Sequence, residues 1–158
     1  MANQEPNLKL PPVRQIGIVV EDVDKATDYC TSHFGWGPFR VDNFQMEGAI
    51  FRGRPKNLRT RAAFTTHPGP IEIELLQVLE ADADIREFFW SKGGGLHHLL
   101  FMVDDLDGIL VELAKEGIEP VLHHDLPVAK LAFVEIDKVG GVYYELVEVK
   151  SRASRQGA

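Results

Sequence analysis

The chain repeats itself, and the repeat constrains the fold more than any other feature. QIGIVVEDVD, from Gln15, returns as HLLFMVDDLD, from His98: an apolar run, an acidic pair, Val or Leu, then Asp. Each run suits a buried strand leading into a helix. Asp22 or Asp24 is placed to cap a helix over 25–34, and Asp105 or Asp107 one over 108–116. Both helices then stop alike. GWGPFRV from Gly35 and GIEPVLH from Gly117 each set a glycine where a helix C-terminus wants positive φ, with a proline three residues on. RAAF from Arg61 matches KLAF from Lys130, and GPIEIEL from Gly69 matches GGVYYEL from Gly140. The offset between copies shortens along the chain, which locates extra residues in the first copy around MEGAIFRGRPKNL. Each half reads strand, helix, strand, strand, strand. The expected division is a tail at 1–12, a first module at 13–79, a linker at 80–95, a second module at 96–149 and a tail at 150–158. A short helix is expected in the linker, from Ala83 to Trp90, and both tails are expected to be loose.

Residues two apart on a strand share a face. The repeat superimposes Gln15 on His98, each a polar side chain opening an apolar strand, and Glu74 on Glu145, each set among apolar neighbours. Alternation sends His97 to the face opposite His98. If the halves are related by a pseudo-twofold axis, Gln15, Glu74, His98 and Glu145 converge. A carboxylate among apolar residues is costly unless something pairs with it, and one divalent cation would resolve two of them at once. One nitrogen and three oxygens suit Zn²⁺, Ni²⁺, Co²⁺, Mn²⁺ or Fe²⁺. A non-haem iron oxygenase wants two histidines and a carboxylate, and this set offers one histidine.

Composition narrows the classes further. With 44% hydrophobic residues the chain can bury a real core, and a formal charge of −7 without basic clusters removes the footprint of a nucleic-acid binder. A lone cysteine, Cys30, forms no internal disulfide and no Cys-x-x-Cys site. The opening MANQEPNLKLPP has no signal-peptide pattern and no apolar run is long enough to span a bilayer, so a soluble cytoplasmic protein is expected.

IGIVVEDVDKA, GLHHLLFMVDD, IEIELLQ and GVYYELVE together resemble the vicinal oxygen chelate superfamily, which includes glyoxalase I, methylmalonyl-CoA epimerase, extradiol dioxygenases and bleomycin-resistance proteins. The resemblance covers about 13–149. It implies an α+β fold in which two βαβββ modules form a curved mixed sheet around one divalent metal ion, often in a homodimer. The implied ligands are Gln15, Glu74, His98 and Glu145, an order similar to that of one branch of glyoxalase I. Relatives that move protons bind vicinal substrate oxygens at the metal and use a metal-site glutamate as base, which here implies Glu145, with Glu74 opposite it. Methylmalonyl-CoA epimerases usually carry histidine where this chain has Gln15. They also place a second glutamate shortly before the third strand, where this chain reads PKNLRTRAAF and the nearest glutamate is Glu47.

The expected activity is metal-assisted proton transfer beside a carbonyl of a small metabolite or thioester, as in an isomerase, epimerase or lyase. The alternatives are a non-catalytic ligand-binding or resistance protein and, less favoured, an iron-dependent dioxygenase. The partner expected is a small-molecule substrate, with neither nucleic acid nor membrane. Further substrate contacts are sought at Tyr143, which shares a face with Glu145 or else packs across strands, at Arg59 and Arg61, whose charges suit an anionic group or a solvated face, and at His123, at the pocket mouth or on the surface.

Overall fold

The computed structural model describes residues 8–91, 93–136 and 140–151. Parts of the two expected tails, 1–7 and 152–158, lie outside the described residues. The first module runs β1 (Gln15–Val19), α1 (Val23–Phe34), β2 (Arg40–Phe51), β3 (Arg54–Thr65) and β4 (Glu72–Ala81). After α2 (Ala83–Trp90), the second runs β5 (Gly95–Met102), α3 (Leu106–Lys115), β6 (Pro120–Asp125), β7 (Ala129–Glu135) and β8 (Tyr143–Val149). β4 continues past the expected module edge at 79.

Capping decides where the helices sit. The Asp22 carboxylate accepts from the Lys25 N–H at 3.0 Å and Asp105 from the Gly108 N–H at 2.9 Å, so the first acid of each candidate pair caps and both helices begin two residues earlier than expected. Gly35, at φ 66°, closes α1 by returning N–H bonds to the last turn. The extra length of the first module lies in the β2–β3 hairpin, whose two strands are about twice as long as β6 and β7 and turn through Arg52 and Gly53, both at positive φ.

Within a module the order is β1-β4-β3-β2 or β5-β8-β7-β6, with the first and last strands parallel and the others antiparallel. β1 pairs antiparallel with β5, and β2 meets β6 through Ile50 and Phe51, so the sheet closes into a barrel. Alternation separates three apolar clusters. Leu75 and Ala63 pack outward with Val23 of α1, and Leu146, Ala132 and Phe101 pack outward with Leu106 of α3. The interior cluster takes the opposite residues, among them Leu58, Leu76, Leu122 and Phe133, and receives Ile85, Phe88 and Phe89 from α2. Residues 8–12 are not wholly loose, since Leu10 packs against the cluster beneath α3. Among the described residues no helix is long and apolar enough to cross a membrane.

Candidate metal and active site

The interior faces of β1, β4, β5 and β8 carry Gln15, Glu74, His98 and Glu145, and all four are buried and line one cavity of about 210 Å³. β1 and β5 run antiparallel side by side, with β4 and β8 flanking them, so equivalent positions of the two modules face the same interior. His98 Nε2 lies 3.0 Å from Glu74 Oε2 and 3.2 Å from Glu145 Oε2. It is 1% exposed, and Nε2 makes no well-aligned hydrogen bond to either carboxylate. Gln15 Nε2 donates to Glu72 Oε1 at 2.7 Å, which leaves the amide oxygen as the group Gln15 has to offer a ligand.

The local field is unusual. Burial pushes the Glu145 carboxyl up, His98 pulls it back and Glu74 adds to the rise, leaving it at about 7. Burial lowers His98, but contact with Glu74 and the charges of Glu145 and Glu74 outweigh it, and the net direction is upward. No lysine or arginine among the described residues lines the cavity wall, so Glu145 and His98 have only each other and Glu74 as charged neighbours there. Among the described residues no cage of three or more acidic, histidine or cysteine side chains is already formed. The donor set nevertheless fits a divalent cation: an imidazole nitrogen without a directed partner, two carboxylates in excess of local positive charge, and an amide oxygen.

Three residues that sequence reasoning did not assign complete the site. Gly17 lies opposite His98 in the β1–β5 pairing, and a Cβ built there would stand 1.9–2.3 Å from the His98 ring atoms Cε1, Nε2 and Nδ1. The ring occupies the space a side chain would fill, a role legible in hindsight from a glycine inside a strand two residues from Gln15. Glu72, in register with Gln15, accepts from its amide. The third is His97, which alternation had sent outward. A register shift pairs Gly17 with His98 and Ile18 with Leu96, so His97 is the extra residue of a bulge and turns inward beside its neighbour. Its Nδ1 lies 3.1 Å from His98 Nδ1, and its ring stacks on Phe89 at 4.9 Å. One of the two Nδ1 atoms must carry the proton between them.

The remaining candidates lie outside the residues that line this cavity. Arg59 is exposed and pairs with Glu80, and Arg61 reaches Asp24 at 2.7 Å, because the residues of β3 that face the interior are Leu58, Thr60 and Ala62. His123 is exposed, since its neighbour Leu122 is the one turned to the cavity. Tyr143 faces inward as expected but packs 4.6 Å from Phe88 and 4.9 Å from His97, in the aromatic cluster rather than in the cavity wall.

A family model described as Glyoxalase/Bleomycin resistance protein/Dioxygenase superfamily matches residues 14–134. The chain belongs to that superfamily. Among solved structures, the superfamily fold is shared with a methylmalonyl-CoA epimerase from Mycobacterium tuberculosis (22% identity, 96% of this chain and 97% of that one, TM-score 0.64). A variant of Streptomyces coelicolor methylmalonyl-CoA epimerase in complex with 2-nitronate-propionyl-CoA gives 20% identity, 90% and 100% coverage, and a TM-score of 0.63. At such identity these likenesses establish the fold. An uncharacterised protein, YqjC, of Bacillus subtilis (strain 168) is 32% identical over 85 residues, which make up 52% of this chain and 61% of that protein, so the match spans less than two thirds of that relative.

Two outcomes follow from the geometry. Gly17→Ala should displace the His98 ring and destabilise the fold by about 1–3 kcal/mol, and the His98 pKa followed by NMR should fall back toward 6.5. In chelator-treated protein Glu145 has a folded pKa above its unfolded one, so its native state holds the extra proton and stability falls as pH rises from 4.5 to about 7. His98, also raised, acts in the same direction. Urea midpoints should therefore decline between pH 5 and 8, and the decline should be shallower in Glu145→Gln.

Proposed function

We propose that this chain catalyses metal-assisted proton transfer beside a carbonyl, as an isomerase, epimerase or lyase acting on a small metabolite or thioester. The observation that carries the reading is the placement of Glu74 and Glu145 on either side of His98 Nε2, at 3.0 and 3.2 Å, in an otherwise apolar cavity. Gln15, Glu74, His98 and Glu145 would hold the cation. When bound, a divalent ion supplies Lewis acidity, polarising the carbonyl and stabilising the negative charge that develops on its oxygen.

The protein's own residues supply the rest. Glu145 Oε2 is the proposed proton acceptor, a carboxylate buried in the cavity wall 3.2 Å from His98 Nε2. Glu74 meets the same Nε2 atom at 3.0 Å and would balance the charge of the same ion. His97 keeps the single-histidine character of the set, because its Nδ1 is turned to His98 Nδ1 and its ring is held among aromatic side chains. Apolar walls keep water from the abstracted proton. The thioester among the proposed substrates is supported by the methylmalonyl-CoA epimerases that share the fold.

The test is loss of α-protons in D₂O, followed by NMR over a set of α-hydroxyketones and acyl thioesters with metal-loaded protein. Wild type should accelerate exchange on at least one of them. Glu145→Gln should reduce that acceleration by about 10²–10⁴-fold. Exchange that survives the substitution undiminished would remove Glu145 as the base.

A further inference from the structure

Charge and shape of the cavity restrict what can sit beside the reacting carbon. Its wall beyond the four candidate ligands is apolar, built from both modules by side chains such as Met46, Leu58, Leu122, Leu126, Leu131 and Phe133, with Thr60 as the one other polar residue among those described. Among the described residues no lysine or arginine contributes to it. Arg59 and Arg61 of β3 are turned outward to Glu80 and Asp24, Lys130 is held by Asp107, and Lys56 reaches Asp82 at 2.8 Å. Two carboxylates already neutralise one divalent cation. Transfer of a proton from carbon to Glu145 shifts negative charge onto the substrate oxygen without changing the total, so a further anionic group in this wall would be buried with no described cation left to pair it.

Size gives the other bound. A cavity of about 150 Å³ lined by leucine, isoleucine and phenylalanine accommodates a benzene ring, and this one measures about 210 Å³. There is room for a carbonyl head at the polar end and a ring or branched chain beyond it. Resting on the proton-transfer reading above, we infer that the substrate is an oxygenated carbonyl compound whose substituent in the cavity is uncharged and apolar, of phenyl or branched-alkyl size. A carboxylate at that position, as in a malonyl-type acid, is selected against.

Hydroxamates present two adjacent oxygens to a metal and allow charge to be changed at nearly constant shape. Zinc-loaded full-length protein would be titrated calorimetrically with acetohydroxamate, 3-methylbutanohydroxamate, benzohydroxamate and malonomonohydroxamate, with bound zinc measured before and after. The branched and phenyl probes should bind at least tenfold tighter than acetohydroxamate, and the malonic probe, whose carboxylate replaces the isopropyl group of the branched one, should bind more weakly than acetohydroxamate. A malonic probe that binds as tightly as the branched one, or apolar probes no tighter than acetohydroxamate, would overturn the substrate class while leaving the metal site standing. Failure to take up zinc, or binding of no probe to zinc-loaded protein, would overturn the metal-dependent reading and the substrate class with it.

Discussion

Two carboxylates buried against one imidazole inside an apolar barrel are the constraint on which the rest of the structure depends. Glu74 and Glu145 would repel each other and resist burial without positive charge beside them, and among the described residues His98 is the group that meets both. The strain shows in the titration of the pair, with His98 and Glu145 both displaced upward. The surrounding wall makes matters worse, being largely apolar and, among the described residues, carrying no cation. Such an arrangement is expensive as a way of stabilising a fold and sensible as a way of binding a divalent ion.

The fold delivers these groups by symmetry and then modifies the symmetry locally. β1 and β5 meet antiparallel, Gln15 opposite Leu100 and Gly17 opposite His98. Gly17 and Leu100 occupy equivalent places in the repeat. The smaller one makes space for an imidazole, whereas the larger one faces an amide and lines the cavity. Glu72 and Tyr143 are likewise equivalent, each in register with the polar residue of the adjoining strand. Glu72 accepts from the amide of Gln15, and Tyr143 packs beside His97. An amide at position 15 can donate to Glu72 through its nitrogen and present its oxygen to the cavity, which a neutral imidazole ring does differently, through one donor and one acceptor nitrogen.

Much of this was legible in the chain before folding. The repeat identified the strand–helix–three-strand modules, and period-two alternation put Gln15, Glu74, His98 and Glu145 on faces that the structure turns into one cavity. Alternation failed where the backbone departs from it: the bulge beside Gly17 turns His97 inward, and nothing in GGGLHHLL announces an extra residue. It also tells which residues share a face without saying which face is inside, so Arg59 and Arg61 were grouped correctly and sent to solvent by Thr60 and Ala62. Depth along a strand is equally silent. Tyr143 shares the interior face of Glu145 yet lies at the level of the α2 aromatic side chains, a contact made by a linker helix whose position no local pattern encodes.

The account rests on four side chains acting as one cation site, and metal content tests it most directly. Purified wild-type protein, dialysed against a mixture of Zn²⁺, Ni²⁺, Co²⁺ and Mn²⁺ and analysed for elements, should retain close to one ion per chain, while His98→Ala and Glu145→Ala, shown to be folded by circular dichroism, should retain little. Metal content that is the same in both variants as in wild type would contradict the site.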